Sequence, residues 1–177
     1  MALEEILGSG DFLDPPRSAS RQKGMSQPNA NDRVFYVLRG LDANALNAKA
    51  NEICTVAARN GVKSFAIITS EDFLLNDAGT YVFDPVRLKA AHRRNFERAC
   101  ALFSIGIEVV VLANLNIRKS HYYHYLTMGR FFYYDTVEEV VGQPYDLSKS
   151  DAETLAKKSY SNMPASVFLR YSLEFEE

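Results

Sequence analysis

Hydrophobic residues are grouped along this chain into short runs that alternate with longer segments of helical periodicity. The short runs are rich in β-branched and aromatic side chains and predict four strands, at residues 34–38, 65–69, 108–112 and 130–135. The remaining segments predict helices at residues 44–59, 85–103, 119–126 and 149–158, and a last helix with Pro164 in its first turn. Strands that alternate with helices favour βαβ units. We therefore expect an α/β fold, a three-layer sandwich with a mostly parallel sheet.

The first 32 residues differ in composition from the rest of the chain. Residues 14–32 are rich in Pro, Ser, Gln, Asn and Arg, which is typical of a linker or an extended arm. Five apolar residues before them form a short hook suited to docking on an apolar surface: Leu3, Ile6, Leu7, Phe12 and Leu13. A frayed terminus is the alternative. We expect an N-terminal arm at 1–32, held by a protein partner, and one domain at 33–177.

Charge, cysteine content and hydropathy exclude several classes of function. The formal net charge of −2 creates no basic field that would attract nucleic acid or an anionic membrane, although local patches remain open. Cys54 and Cys100 lack the spacing of a metal site, which predicts free thiols in a reducing compartment. The sequence contains no run of about 18 apolar residues, so it predicts no membrane span. The acidic N-terminus does not resemble a cleaved signal, so we expect an intracellular, cytoplasmic protein.

The turn after the first predicted strand is where α/β proteins bind ligands, and here it reads RGLDANALNAKAN. A phosphate-binding loop needs the pattern G-x-x-x-x-G-K-[ST]. Counted from Gly40, its last three positions hold other residues: Ala45, Leu46 and Asn47. Asp42 favours instead a helix N-cap, whose carboxylate takes the positive helix end that a phosphate would need. The turn therefore predicts no nucleotide cofactor, with Lys49, one turn later, as the alternative phosphate ligand.

Several sequence blocks occur in a fixed order: VLRGL, SEDFLLNDAGTYVFDPVRLKAAHRRNFERA and VVVLANLNI. Together they resemble the polynucleotide-kinase-like P-loop kinases, a family that also includes kinase-like domains of large eukaryotic binding proteins. Its members read RGLPGSGKST in the first loop, Ser-x-Asp-Asp-Phe after the second strand, Y-x-F-D and A-H-x-x-N around the second helix, and D-N-T-N after the third strand. The resemblance covers about residue 33 to the end, and implies a P-loop-kinase-like fold whose Walker A loop is lost.

The same resemblance implies a set of site residues. Glu71 and Asp72 match the acidic pair, whose implied role is to activate a hydroxyl acceptor or position magnesium. The other matches are Tyr81, Phe83, Asp84, Ala91, His92, Asn95, Asn114 and Asn116. Ala113 stands where the family has Asp, and of the lid string before the last helix only Pro164 is retained, after Lys158, Ser159, Ser161, Asn162 and Met163. We interpret Glu71, Asp72, His92, Asn95, Asn114 and Asn116 as an active-site remnant. We expect four of them, Glu71, Asp72, His92 and Asn95, to persist as a structural polar network beneath the former active site.

Three further features carry alternatives. His121 and His124 have the spacing of two metal ligands on one helix face, but the sequence positions no third ligand, so no metal is expected.

The aromatic segment at 122–134 is typical either of a protein interface or of a doubly buried strand: Tyr122, Tyr123, Tyr125, Phe131, Phe132, Tyr133 and Tyr134. A basic run on the second helix suits either RNA phosphates or a solvated surface: Arg87, Lys89, Arg93, Arg94 and Arg98.

These patterns predict a catalytically inactive kinase-like domain that serves as a structural or adaptor subunit of a larger assembly. Its expected contacts with protein partners are the N-terminal arm and the aromatic segment. Two alternatives remain open. One is an atypical ATP-dependent nucleoside or polynucleotide kinase that uses Lys49, Glu71 and Asp72, and the other is an RNA-binding module that uses the basic helix.

Overall fold

The computed structural model describes residues 33–82, 84–159 and 163–177. The predicted arm at 1–32, Phe83, Ser161 and Asn162 lie outside them. Four strands are described: β1 (Val34–Arg39), β2 (Phe65–Ile68), β3 (Val109–Leu112) and β4 (Asp135–Val140). The helices are α1 (Ala43–Arg59), α2 (Pro85–Ser104), α3 (Tyr123–Phe131), α4 (Lys149–Lys158) and α5 (Ala165–Glu174), with 3₁₀ turns at Ser70–Phe73 and Lys119–His121.

The four strands form one parallel sheet in the order β2-β3-β1-β4. The chain therefore leaves β1 for one side of the sheet and later crosses from β3 to the other side, where β4 pairs with β1. This reversal places a topological switch point between the carboxyl ends of β1 and β3. In open α/β sheets such a point is where ligands bind.

The central strands β1 and β3 are packed on both faces, which gives the three layers that the sequence predicts. Phe35 and Val37 of β1 pack with α2 and α3, whereas Leu38 packs with α1. The same alternation in β3 assigns Val110 and Leu112 to the first face and Val109 and Val111 to the second. A third cluster, which we call the C-terminal cluster, is formed by Leu41, Ile117, Ala152, Phe168 and Phe175. The α/β fold class, a three-layer sandwich with a parallel sheet, is confirmed.

Hydropathy along the helices agrees with a domain that packs around this sheet. None of the helices in the described residues combines the length and the hydrophobicity that crossing a bilayer requires.

The prediction of a strand at 130–135 is wrong. The aromatic run there belongs to the end of α3 and a turn, and β4 begins at Asp135, in a stretch that the pattern assigned to a polar loop. Thr136, Glu138 and Glu139 gave β4 a polar composition, although the strand pairs with β1 over its whole length. β4 is an edge strand, and edge strands carry charged side chains more often than central ones. Hydrophobicity alone therefore missed it.

Three helices end in the same Schellman motif. The α1 helix is followed by Gly61 (φ 92°) and α2 by Gly106 (φ 76°), and in both the next residue donates back to a helix carbonyl, Val62 N to Ala57 O and Ile107 N to Leu102 O. After α3 the left-handed position is occupied by Tyr133 (φ 63°), while Tyr134 N donates to Gly129 O over 2.9 Å. The sequence therefore has no glycine that would indicate the end of α3.

We expect Tyr133→Gly to stabilise the fold by about 1 kcal/mol, because a side chain in the left-handed region costs roughly 1–2 kcal/mol and the tyrosine ring is 75% exposed. Tyr133→Ala is the matched control, since it removes the same ring but keeps the Cβ atom. Urea unfolding followed by circular dichroism measures both. A Tyr133→Gly variant no more stable than Tyr133→Ala would contradict this account of the helix end.

Candidate functional site

Only three residues, Gly40, Leu41 and Asp42, separate β1 from α1. The helix begins at Ala43, so the residues that stand at the last positions of the phosphate-loop pattern are already helical. Asp42 is the N-cap, and its Oδ1 accepts from Asn44 N (2.9 Å) and Ala45 N (3.2 Å). The N-cap predicted at Asp42 is confirmed. The helix N-terminus therefore holds a carboxylate of the chain itself.

The residues at the phosphate-loop positions have roles in packing. Leu46, at the lysine position, is fully buried in the core between α1 and the sheet. Gly40 N donates to Leu115 O over 2.9 Å, and a Cβ atom at Gly40 would lie 2.7 Å from Val141 O. Glycine is thus required at position 40 because the end of β4 approaches it closely. This requirement exists without any phosphate.

Arg39, the last residue of β1, carries a buried guanidinium at the switch point, with 3% of the residue exposed. Its Nε donates to Asn116 O over 3.1 Å, and its Nη2 donates to Glu176 O. Its Cζ lies 5.1 Å from the ring centroid of Tyr122 and 4.7 Å from that of Phe175. Carbonyl acceptors and aromatic faces together replace the water that the cation loses. Arg39 therefore ties β1 to the loop after β3 and to the end of the chain.

The C-terminal cluster lies over the same edge of the sheet. Leu41 follows β1, Ile117 follows β3, and both pack with Phe168 of α5 and with Phe175. Backbone bonding continues this contact, since Glu176 N donates to Ile117 O over 2.9 Å. Asn44 Nδ2 also donates to Lys158 O at the end of α4 (3.1 Å). The chain's own apolar residues thus fill the crevice where a ligand of such a sheet is expected.

A short hydrogen-bond chain links the ends of β2 and β3 to α2. Asn114 Oδ1 accepts from Ser70 N (2.9 Å), and Asn114 Nδ2 donates to Ser70 Oγ (3.1 Å). Ser70 Oγ lies 2.8 Å from His92 Nδ1. Because Ser70 Oγ already accepts from Asn114, its proton is directed at His92, which fits a neutral imidazole with an unprotonated Nδ1. Burial, and to a lesser extent His121, lowers the pKa of His92.

Hydrogen bonds join four of the six remnant residues. Asn95 is fully buried on α2 and its Nδ2 donates to Tyr125 OH over 3.3 Å, while Tyr125 OH donates to His92 O over 3.4 Å. His92 is joined to Asn114 through Ser70.

Thr69 extends this chain of hydrogen bonds to Glu71. Thr69 Oγ1 donates to Asn114 Oδ1 (3.2 Å) and accepts from Glu71 N (3.3 Å). The other two residues have different partners, since Asp72 pairs on the surface with Arg98 (2.7 Å) and Asn116 Nδ2 donates to Leu38 O (2.8 Å). The interpretation of this set as an active-site remnant stays a prediction.

An open cavity of about 280 Å³ lies beyond the carboxyl end of β2. Its lining is Asn47, Ile67, Thr69, Glu71, Asp72, Leu75 and Tyr81, which includes two acids and no base. Burial, followed by the nearby Glu71, raises the pKa of Tyr81 to about 12. A second cavity of about 400 Å³ beside the start of α1 is lined by Asp42, Asp146 and Asp151 among others, again without a base. Neither cavity is electrostatically suited to a phosphate.

The residues on which the enzyme alternative depends have other partners. Lys49 Nζ lies 3.1 Å from Glu139 of β4 and 3.5 Å from Glu52, and Glu139 is the main reason why the pKa of Lys49 is raised. Ala113, where the family has Asp, is buried in the core beside α1.

The basic run on α2 is partly neutralised. Arg98 pairs with Asp72, Arg93 Nε lies 3.9 Å from Glu97, and Arg87 donates to Phe73 O. All five of its residues are exposed: Arg87, Lys89, Arg93, Arg94 and Arg98. A solvated helix face accounts for this arrangement.

The aromatic segment divides into a core half and a surface half. Tyr122, Tyr125 and Tyr134 are buried, whereas Tyr123, Phe131 and Tyr133 are at least 63% exposed. The buried ones contribute hydroxyl bonds, among them Tyr122 OH to Glu138 Oε2 (2.7 Å) and Tyr134 OH to Ile107 O (2.6 Å). The segment is therefore not the doubly buried strand that one interpretation assumed, and its role as a protein interface stays a prediction. Phe132 is intermediate in burial and packs against the core.

The structure brings His92 near His121 and His124, a relation that the sequence did not predict. Burial lowers the pKa of all three rings, and lowers that of His124 to about 4, with His92 and His121 as further causes. Within the described residues no group of three histidine, cysteine or acidic side chains is arranged to hold a metal ion. His92 and His121 are exposed and His124 is half-buried, and the lowered pKa values favour the neutral form of all three rings.

Sequence reasoning missed two polar residues that connect separate elements, Arg39 and Ser70. A signal existed for Arg39, because it directly follows five apolar strand positions and precedes a glycine. No comparable signal existed for Ser70, whose partners Asn114 and His92 lie 44 and 22 residues away in sequence.

No known protein-family model matches the chain. Among solved structures, it is similar to a chain of the Pnkp1/Rnl/Hen1 RNA repair complex, with 14% identity over 81% of this chain and a TM-score of 0.55. A chain from another Pnkp1/Rnl/Hen1 complex structure is 16% identical over 74% of this chain, with a TM-score of 0.47. This chain spans 44% and 40% of those two chains. At this identity the first similarity shows the fold alone.

We expect the stability of the domain to fall as the pH is lowered from about 6.5 towards 4. The folded state depresses the pKa of His124, so its stabilising effect is complete above the unfolded pKa near 6.5 and is lost as the pH falls through the folded value near 4. His124→Phe keeps a ring against Phe96, whose centroid lies 4.8 Å away, but does not titrate. Chemical unfolding at a series of pH values should show a flatter profile for this variant. Identical profiles would refute the assignment.

Proposed function

We propose that this chain is a catalytically inactive kinase-like domain that serves as a structural or adaptor subunit of a larger assembly. The observation that carries the proposal is the three-residue turn between β1 and α1, with Asp42 bound at the helix N-terminus. A phosphate-binding loop must instead surround the phosphate with free backbone amides. Here those amides donate to an aspartate, and the adjacent Leu41 is buried in the C-terminal cluster.

The charge of the surroundings supports the same proposal. A nucleotide phosphate entering beside α1 would meet Asp42, Asp146 and Asp151 around the second cavity. A lysine contact with a phosphate is a charge-assisted hydrogen bond worth about 1.5–3 kcal/mol, and Leu46 cannot supply one. Lys49 could do so only by leaving Glu139. The missing lysine contact and the repulsion by the three aspartates thus both weaken phosphate binding.

The enzyme alternative rests on the cavity that Glu71 and Asp72 line. Two carboxylates beside Asn47 and Thr69 are a plausible place for a hydroxyl acceptor or a cation. Asp72 already pairs with Arg98, however, and none of the described residues that line this cavity is basic. We therefore rank an atypical nucleoside or polynucleotide kinase second.

An assembly role agrees with the origin of the structural neighbour, which was solved within a multi-protein RNA repair complex. The arm at 1–32, with its apolar hook, and the exposed rings Tyr123, Phe131 and Tyr133 are the surfaces that we propose for protein partners. RNA remains a third candidate through Lys89 and Arg94 of α2. The proposal needs no nucleotide, metal or other cofactor.

We expect the full chain to show no saturable stabilisation by millimolar MgATP in a thermal-shift titration. Binding at a hundredfold excess over the dissociation constant would add about 2.7 kcal/mol to the free energy of unfolding, which such a titration detects readily. Asp42→Asn is the matched control, because asparagine keeps the N-cap but removes the charge. It too should remain unresponsive, since the turn stays three residues long.

A saturable MgATP response that Glu71→Gln abolishes would overturn the proposal in favour of the enzyme. A response that appears only in Asp42→Asn would show that charge alone, and not the shape of the turn, prevents binding. An unresponsive chain in all variants is the expected result.

A further inference from the structure

The β4 strand leaves one side of its backbone unpaired. It pairs with β1 over six residues, and no strand within the described residues lies on its other side. Asp135 N donates to Arg33 O and Val141 N donates to Arg39 O, so every second residue from 135 directs its backbone towards β1. The residues between them, Thr136, Glu138 and Val140, therefore direct their N–H and C=O groups away from the sheet. Three donor–acceptor pairs are thus available to an added strand.

This open edge is acidic. Of its six residues three are acidic and none is basic: Asp135, Glu138 and Glu139. Glu138 is fixed by the hydroxyl of Tyr122 and Glu139 by Lys49, yet the Glu139 side chain remains 37% exposed. Two copies of this strand would bring like charges together, which disfavours pairing of the chain with itself. A strand that carries lysine or arginine would find complementary charges.

Exposed apolar side chains surround the same edge. Val137 and Val140 on the strand are 38% and 40% exposed, and Phe131 and Tyr133, shortly before it, are 64% and 75% exposed. Tyr133 holds its position in a left-handed backbone conformation that glycine would adopt more easily. Unpaired backbone groups beside apolar contacts are the features of a strand-addition site.

We propose that β4 is the docking edge for an extended, lysine- or arginine-rich segment of a partner protein, which adds to the sheet as a fifth strand. Main-chain hydrogen bonds at Thr136, Glu138 and Val140 supply affinity, and the three carboxylates select for basic side chains. The proposal rests on the adaptor role proposed above and specifies the chemistry of one partner. The peptide-binding test uses no nucleotide. MgATP binding would therefore contradict the adaptor role without changing the interpretation of the peptide result.

The probe is a capped octapeptide of alternating lysine and threonine, compared with one of alternating glutamate and threonine. Binding to the full chain is measured by fluorescence anisotropy, and amide exchange by NMR. We expect the lysine peptide to bind at least tenfold more tightly and to slow the exchange of the Thr136, Glu138 and Val140 amides. Val140→Pro removes one outward N–H without breaking a bond to β1, and should weaken binding at least tenfold. Val140→Ala, which keeps that N–H, should stay within twofold.

Every other outcome overturns the proposal. Absence of binding, or binding that Val140→Pro leaves unchanged, would show that no strand is added. Slow exchange of the three amides without peptide, increasing with protein concentration, would identify a second copy as the occupant. Slow exchange without peptide that is lost when residues 1–32 are removed would identify the chain's own N-terminal residues.

Discussion

The buried guanidinium of Arg39 is the interaction on which the carboxyl end of the sheet depends. A cation removed from water is tolerated only where other groups replace its hydration. Here the carbonyls of Asn116 and Glu176 accept its protons, and two aromatic rings face its charge. These partners come from two parts of the chain that are far from β1 in sequence, and therefore one residue holds β1, the segment after β3 and the C-terminal segment together.

Closure of this edge has consequences for function, because it determines what a ligand would have to displace. Opening the crevice would expose Leu41, Ile117, Phe168 and Phe175, at about 1.5–3 kcal/mol for each side chain. A single charge-assisted phosphate contact returns about 1.5–3 kcal/mol. The free energy lost by exposing these four side chains therefore exceeds the free energy that one phosphate contact returns. The proposed function follows from this balance, because a switch point that is part of the core leaves the outer surfaces of the domain for binding.

The parts of this structure that the sequence predicted are those determined by local chemistry. Apolar runs located β1, β2 and β3, and an aspartate before an alanine-rich segment located the start of α1. The features that the sequence did not predict are those that no local pattern marks. β4 was missed because an edge strand needs no apolar pattern, and the end of α3 was missed because Tyr133 occupies a glycine position. The polar remnant stays a prediction: Tyr125 joins Asn95 to His92, whereas Asp72 and Asn116 have partners outside the set. The domain boundary at residue 33 stays a prediction.

The most direct test of the closed switch point is native-state hydrogen exchange at the amides of Gly40 and Lys119. In this structure Gly40 N donates to Leu115 O and Lys119 N donates to Glu176 Oε2. If the crevice is part of the core, both amides exchange slowly, with opening free energies close to that of global unfolding, and MgATP does not change them. Fast exchange at both amides while the centre of β1 stays protected would show a crevice that opens on its own, and would contradict the account.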